Sequence, residues 1–368
     1  MTWIASFVVG FLIVRAVVVA INFFSRPWLK EMPGPPGPEV SVLIPARNEE
    51  KNLPGLLADL LRQDLPDGGI REILVYDDQS TDQTGRVVRD FARQDPRISL
   101  INGNGVKDGW LGKNHACHAL AMQAGGDFLL FLDADVSLSP GLIRNATGYA
   151  DRHSLDLLSI FPDQIMDSAG EKATVPIMNW ILLTLLPLPL IKKSRMPAFA
   201  AANGQFMLFK TTVYHQHRFH SLVRNNPVED IHIMKKMKKL RCRTATLLGG
   251  GMIRCRMYQG FQEAVHGFSK NVLDFFGRNY AALTLYTLTT TFGIFIVGLQ
   301  WDCHFAGAYL LLIMLMKILV SLASRQSIRM NLLYALPQHL SFLAILCRAF
   351  YNRLMNSYEW KGRKIRVR

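Results

Sequence analysis

Phe128-Leu129-Leu130-Phe131-Leu132-Asp133-Ala134-Asp135 is the stretch from which the fold of this chain is read. Five consecutive apolar residues read as a strand buried on both faces, as in mostly parallel sheets covered by helices. A strand that ends in carboxylates delivers them to its carboxyl edge, where open α/β sheets bind ligands. Side chains alternate along an extended chain, so Asp133 and Asp135 are expected to point one way and Ala134 the other. Two hard oxygen donors on one side suit Mg²⁺ or Mn²⁺, with phosphates and water completing the shell. The competing reading is an Asx turn that caps the strand.

Outward from this strand the pattern alternates. Residues 40–44 read as a strand, and Leu53, Leu56, Leu57, Leu60 and Leu61 give an amphipathic helix. Residues 73–76 form a second strand, ended by Asp77-Asp78, and Val87, Val88 and Phe91 a second helix, with Ser80 or Thr81 as caps. A short strand at 98–101 and a helix around 116–124 lead into the Phe128 strand. This order means βαβ units and a mostly parallel sheet. Pro33-Gly34-Pro35-Pro36-Gly37-Pro38 reads as a stiff linker. Residues 175–191 are apolar but broken by Pro176, Pro187 and Pro189, which leaves a membrane-surface segment and a core helix equally open.

Of 368 residues, 49% are apolar, and the net charge is +14. The positive excess lies in patches, Lys235-Lys236-Lys238-Lys239 and the tail Lys361, Arg363, Lys364, Arg366 and Arg368. Such patches beside apolar spans mark a cytoplasmic side or bind anionic headgroups. No aromatic–basic interleaving accompanies them, so nucleic acid is not an expected partner. Five scattered cysteines without a CxxC argue against a disulfide framework or zinc knuckle. Residues 3–24 are long enough to span a bilayer, although Arg15 near mid-span must face protein, water or a headgroup. Arg26 and Lys30 follow, which places the next domain in the cytoplasm. Residues 281–299 and 305–322 are two further spans, and 332–346 reads as a re-entrant or interfacial helix.

Three more constellations carry chemistry. Asp77-Asp78 belongs on the same sheet edge as Asp133 and Asp135, either accepting from a base or ribose or capping the next helix. Gly109-Trp110-Leu111-Gly112-Lys113-Asn114-His115-Ala116 opens a helix with exposed backbone N–H groups and one point charge, a diphosphate cradle that lacks Walker A spacing. Asn225-Asn226-Pro227-Val228-Glu229-Asp230 opens another helix. Asn226 as N-cap, Pro227 at the first position and Glu229 two further on make a capping box. Alternatively, Asp230 is a general base at the mouth of a site. Gly204-Gln205-Phe206, after Ala200-Ala201-Ala202, permits close backbone approach to a ligand or is merely a tight strand.

In this order the pieces resemble the family 2 glycosyltransferases, inverting enzymes of the GT-A fold. The matching elements are Val42-Leu43-Ile44-Pro45-Ala46-Arg47-Asn48-Glu49, Asp77-Asp78-Gln79-Ser80-Thr81-Asp82-Gln83-Thr84, Gly112-Lys113-Asn114, Asp133-Ala134-Asp135, Gly204-Gln205-Phe206 and Val228-Glu229-Asp230. The resemblance implies an α/β GT-A nucleotide-sugar-binding domain over residues 38–275. An N-terminal transmembrane helix (1–25), C-terminal membrane helices (280–350) and a basic cytoplasmic tail (351–368) accompany it. It implies that Pro45, Ala46, Arg47 and Glu49 line the nucleotide pocket and that Asp77 or Asp78 meets uracil or ribose. Lys113, Gly204 and Gln205 join that donor site. Asp133 would face the nucleotide sugar and, with Asp135, hold Mg²⁺ or Mn²⁺. Asp230, beside Glu229, matches the base that deprotonates the acceptor.

The QxxRW motif of many membrane members has no clean copy. Gly267-Phe268-Ser269-Lys270-Asn271 stands in its place, with Lys270 as the substitute. That segment, Trp110-Leu111-Gly112-Lys113 and Trp360-Lys361-Gly362-Arg363 look like the branch that glycosylates carotenoid acids and related isoprenoid lipids. The expected protein is therefore a multi-pass inner-membrane enzyme with a cytoplasmic catalytic domain. Its donor would be UDP-glucose and its acceptor a membrane lipid. The alternatives are a polyprenyl-phosphate sugar synthase, a nucleotidyltransferase on a similar scaffold, and a non-enzymatic membrane scaffold.

Overall fold

The computed structural model describes residues 2–31, 38–63, 69–355, 358–360 and 363–365. The linker read at Pro33–Pro38 and the tail residues Lys361, Gly362, Arg366 and Arg368 lie largely or wholly outside them. The chain forms two compact units. One comprises Trp28–Ile165, Leu190–Arg256 and Glu359–Arg368; the other comprises Met1–Pro27, Met166–Pro189 and Met257–Tyr358.

Among the described residues up to Arg256, the first unit holds ten strands in chain order: β1 (Val40–Ala46), β2 (Ile70–Asp77), β3 (Ile98–Asn102), β4 (Phe128–Leu132), β5 (Val136–Leu138), β6 (Leu157–Phe161), β7 (Asp163–Gln164), β8 (Phe206–Lys210), β9 (Thr244–Leu248) and β10 (Ile253–Cys255). Seven form one sheet in the order β3-β2-β1-β4-β8-β6-β9, and β5, β10 and β7 make a smaller one. β3, β2, β1 and β4 run parallel, while β8 runs antiparallel to both β4 and β6. Every residue of β4, an unbroken apolar run, is buried, and so is every residue of β9, including Thr244 and Thr246. Because β1, β2 and β4 share a direction, Ala46, Asp77 and the residues after Leu132 emerge on one edge. The helix α2 (Leu53–Leu61) buries a leucine stripe, and α3 (Thr84–Ala92) buries Val88 beside Thr84 and Gly85. The expected Ser80/Thr81 caps are not used: α3 starts after Gln83, Asp82 accepts from Thr84 N, and Ser80 Oγ accepts from Asn48 N.

The second unit is helical, and its long helices turn large apolar side chains outward. α1 (Thr2–Ser25) buries Ala5, Val8, Leu12, Arg15, Val19 and Asn22, one stripe at helical spacing. It leaves Trp3, Phe7, Val14, Val17, Ile21 and Phe24 exposed. α13 (Tyr280–Gln300) and α14 (Cys303–Ala323) likewise turn Leu288, Phe292, Phe295, Leu311 and Leu315 outward. An apolar outer surface over an interior that also buries Arg15 and Asn22 is the arrangement a hydrocarbon solvent favours. Trp3–Ser25, Tyr280–Gln300 and Cys303–Ala323 are each long and apolar enough to cross a membrane.

The Pro-broken segment resolves into two helices, α7 (Pro176–Leu185), after the short α6 (Ala169–Thr174), and α8 (Pro189–Lys193). α7 is a core helix of the bundle. Asn22 caps its end: Nδ2 donates to Leu183 O and Leu186 O, both at 2.9 Å, and Oδ1 accepts from Leu188 N at 2.7 Å. Residues 332–346 fall in α15 (Ile328–Leu333) and α16 (Ala335–Leu354). α16 buries Gln338, Ser341, Phe342, Ile345, Ala349 and Asn352 against the bundle. α12 (Phe261–Phe275), which carries Lys270, also belongs to this unit.

Candidate active site

The site grows from the carboxyl ends of β1 and β4. Asp133 directly follows β4, and Ala134 and Asp135 form a turn in which Ala134 is buried and both aspartates are partly exposed. Asp133 takes the Lys113 ammonium, with Nζ 2.8 Å from Oδ1 and 2.9 Å from Oδ2. Asp135 lies beside Gln205, whose Nε2 is 3.4 Å from Oδ2 and which also reaches Cys255 Sγ. Gln205 Oε1 is buried and has no hydrogen-bond partner among the described residues.

Lys113 stands at the second position of α4 (Gly112–Ala121) and also meets Glu229 Oε1 at 2.9 Å. Burial alone would lower its pKa, but Asp133 and Glu229 overcome this and hold the ammonium firmly charged. Glu229 and Asp230 open α11 (Glu229–Lys239). The capping box expected here does not form. The helix begins after Val228, Asn226 Oδ1 accepts only from Val228 N, and the Glu229 side chain turns to Lys113. Asp230 accepts from Gly204 N at 3.0 Å and from Ile231 N at 2.7 Å.

Gly204 is where the segments converge. A Cβ there would stand 3.2 Å from both Glu229 Oε1 and Lys113 Nζ and 3.8 Å from Asp230 Cβ. Asn114 binds the approach to α11 onto α4: Nδ2 donates to the carbonyls of Val223 (2.9 Å), Arg224 (3.3 Å) and Asn226 (3.0 Å), and Leu111 N donates to Arg224 O (2.7 Å). Sequence reasoning missed this role of Asn114 because its partners lie more than a hundred positions away, with no local pattern to mark them.

Electrostatics sets two carboxyls apart. Burial, followed by the neighbouring Glu229, raises Asp230 to about 7. Burial, then Asp133 and Glu49, raises Asp135 to about 6. Glu49, after β1, accepts from Asn52 Nδ2 at 2.7 Å, and its N–H donates to Thr84 Oγ1. Pro45 and Ala46 close β1, and Arg47 Nη1 donates to Asp78 O at 2.7 Å. Asp77 Oδ1 accepts from Ser80 N at 2.8 Å, inside the loop and not at the start of α3, while Asp78 is buried beside Arg47. Both stand on the same sheet edge as Asp133, two strands away. Lys270 is in the helical unit.

Among the described residues no three His, Cys, Asp or Glu side chains converge on a ready-made metal site. The donor set nevertheless fits a hard divalent ion. Asp135, crowded by Asp133 and Glu49, carries an excess of negative charge that a cation would relieve, and Mg²⁺ or Mn²⁺ characteristically takes its remaining oxygens from phosphates and water.

Residues 41–218 match the family model described as glycosyl transferase family 2. A 4,4'-diaponeurosporenoate glycosyltransferase of Staphylococcus haemolyticus is 27% identical over 66% of this chain and 63% of its own length. One of Staphylococcus aureus is 26% identical over 63% of this chain and 60% of its own. The chain thus spans about three fifths of the curated relatives it matches. Among solved structures, the mannosyltransferase PcManGT of Pyrobaculum calidifontis, in complex with GDP-Man and Mn²⁺, superposes with a TM-score of 0.56 at 17% identity, covering 93% of this chain and 99% of that one.

Proposed function

We propose that this chain, a family 2 glycosyltransferase of the GT-A fold, moves a hexose from a nucleotide sugar, UDP-glucose first, to a membrane-embedded isoprenoid acid such as diaponeurosporenoate. The single observation that carries the reading is the Gly204 junction, where Asp230, Glu229, Lys113 and Asp133 meet at the open edge of the sheet.

The reaction is a single displacement. The acceptor oxygen attacks the anomeric carbon from the face opposite the donor. The bond from that carbon to the β-phosphate oxygen breaks, and the nucleoside diphosphate leaves with the electron pair. A hydroxyl acceptor gives its proton to Asp230, whose raised pKa suits a base working near neutrality. A carboxylate acceptor has none to give, and Asp230 then only orients it. Asp135 and Asp133 would hold Mg²⁺ or Mn²⁺, which supplies Lewis-acid neutralisation of the departing diphosphate. Lys113 adds a fixed positive charge beside Asp133. Pro45, Ala46, Arg47, Glu49, Asp77, Asp78, Gly204 and Gln205 frame the nucleotide-sugar pocket. Glu229 positions Lys113.

Arg26 and Lys30 after α1, and Arg325 and Arg329 after α14, favour a multi-pass inner-membrane protein with the catalytic unit in the cytoplasm. The test is to incubate membranes containing the full chain with radiolabelled UDP-glucose, Mn²⁺ and diaponeurosporenoic acid. A labelled glycolipid with release of UDP is expected. Release of labelled glucose 1-phosphate in place of UDP would assign nucleotidyl transfer instead, and label recovered only on polyprenyl phosphate would assign the synthase.

A further inference from the structure

The helical unit contains a cavity of about 140 Å³ that the chemistry above does not use, lined by Arg15, Trp180, Tyr286, Lys317, Gln338 and Phe342 among others. Arg15 is buried, 4% exposed. Among the described residues its guanidinium, a group with five N–H donors, makes one long hydrogen bond, Nη2 to Thr184 Oγ1 at 3.4 Å, and its Nε has no partner. The rings of Tyr286, Trp180 and Phe11 lie 5.0, 5.3 and 5.8 Å from it. Lys317 Nζ donates to Gln338 Oε1 at 2.7 Å and lies 4.8 Å from the same Trp180 ring. Two cations therefore share one cavity and one indole.

Neither has a counter-charge among the described residues. The acids of this unit are engaged elsewhere. Glu171 accepts from Asp167 N and Ser168 Oγ, Glu263 from Gln259 N, and Asp302 from His304 N and Phe305 N, while Asp274 pairs with Arg278. Asp167 precedes α6, at the start of the segment that Glu171 caps. Aromatic faces and amides soften an isolated cation but do not neutralise it, and each buried charge left uncompensated is unfavourable by several kcal/mol. Water would hydrate the two cations and leave their mutual repulsion. One anion would offset both.

The position selects the kind of anion. Arg15 lies ten residues from the end of α1, about 15 Å along the helix, so the cavity is deep in a bundle whose outer surface is apolar. A free ion would have to shed its hydration to reach it, whereas an anion attached to an apolar chain arrives from the hydrocarbon. Ile177, Ile181, Ile313 and Phe342 in the lining suit the first carbons of that chain.

We propose that this cavity binds the carboxylate or phosphate head of an acidic lipid, clasped between Arg15 and Lys317. The assignment goes beyond sugar transfer and does not depend on it. The test uses the full chain, delipidated in a neutral maltoside detergent, with no nucleotide present. Binding of oleate and of its uncharged methyl ester is followed by native mass spectrometry. One oleate per chain is expected, at least tenfold tighter than the ester. The double variant Arg15→Gln/Lys317→Gln should lose at least tenfold of the oleate affinity, and Arg15→Lys/Lys317→Arg, which keeps both charges, should hold within about threefold. Equal binding of acid and ester by the wild-type chain overturns the proposal, and that comparison stands even if the glutamine variant fails to fold. Retained oleate affinity in a folded glutamine variant overturns it as well. Displacement of oleate by phosphatidylglycerol would support a bilayer phosphodiester as the source, and persistence of oleate against a hundredfold excess would support a free lipid acid.

Discussion

At the edge of the sheet Lys113 lies between two carboxylates, whereas in the helical unit Arg15 and Lys317 face rings, a hydroxyl and an amide. In the first place the counter-charges belong to the fold, and the cation fixes the distance between β4 and α11. In the second no carboxylate among the described residues is in place, and the geometry is held by Trp180, Gln338 and their neighbours. A paired charge organises a site in advance. An unpaired one defines what the site has yet to receive.

The contrast is tested most severely at Asp230. Asp230→Asn should fold normally and lose about 10²–10⁴-fold of transfer to a hydroxyl acceptor, measured as turnover in membranes. Near-wild-type turnover would remove the carboxylate from the mechanism. Wild-type turnover with a hydroxyl acceptor should rise as pH passes through about 7, when Asp230 gives up its proton. Stability has the opposite slope. Between the ordinary carboxylate range and about pH 7 the folded chain holds a proton that the unfolded chain releases. Asp230 therefore favours the fold at low pH, and this contribution is lost as pH rises to about 7. Melting curves across that window should flatten in Asp230→Asn.

Lys113→Met sharpens the comparison through stability. It leaves Asp133 and Glu229 facing each other with no cation between them. The full penalty of breaking a buried pair is reduced because the Lys113 side chain is 24% exposed, so a loss of about 2 kcal/mol is expected in chemical denaturation. Gly204→Ala presses a methyl group toward Lys113 Nζ and Glu229 Oε1, flexible ends that can yield. It should lower stability by about 1 kcal/mol and raise the donor KM severalfold. Lys317→Met should have the smallest effect and the opposite sign. In delipidated protein, removing an uncompensated cation leaves stability unchanged or raises it by about 1 kcal/mol. A loss matching that of Lys113→Met would erase the distinction between the two regions.

The parts of this molecule legible from sequence are those with a local period. The run at β4, the leucine stripe of α2 and the apolar spans each announce themselves within a dozen residues, and Arg15 could be read as facing protein because lipid would not tolerate it. What escaped reading depends on distant partners. The Asn226 capping box was a reasonable local pattern, but Lys113, contributed by another helix, draws Glu229 away from it. Lys113 and Gln205, both distant in sequence, likewise meet Asp133 and Asp135 only in the fold. Lys317 attracted no notice in an apolar helix, because only the fold brings it to the Trp180 ring.

The Asn114 side chain has a consequence for anyone who would rebuild this protein. Its three bonds to the carbonyls of Val223, Arg224 and Asn226 make the start of α4 and the run-in to α11 a single seam. A chimera that imports residues 223–230 from another protein cuts that seam and sets the imported acids adrift from the lysine they must meet. Importing 111–121 along with them carries both sides of the stitch, and specificity should transplant only as that two-piece cassette.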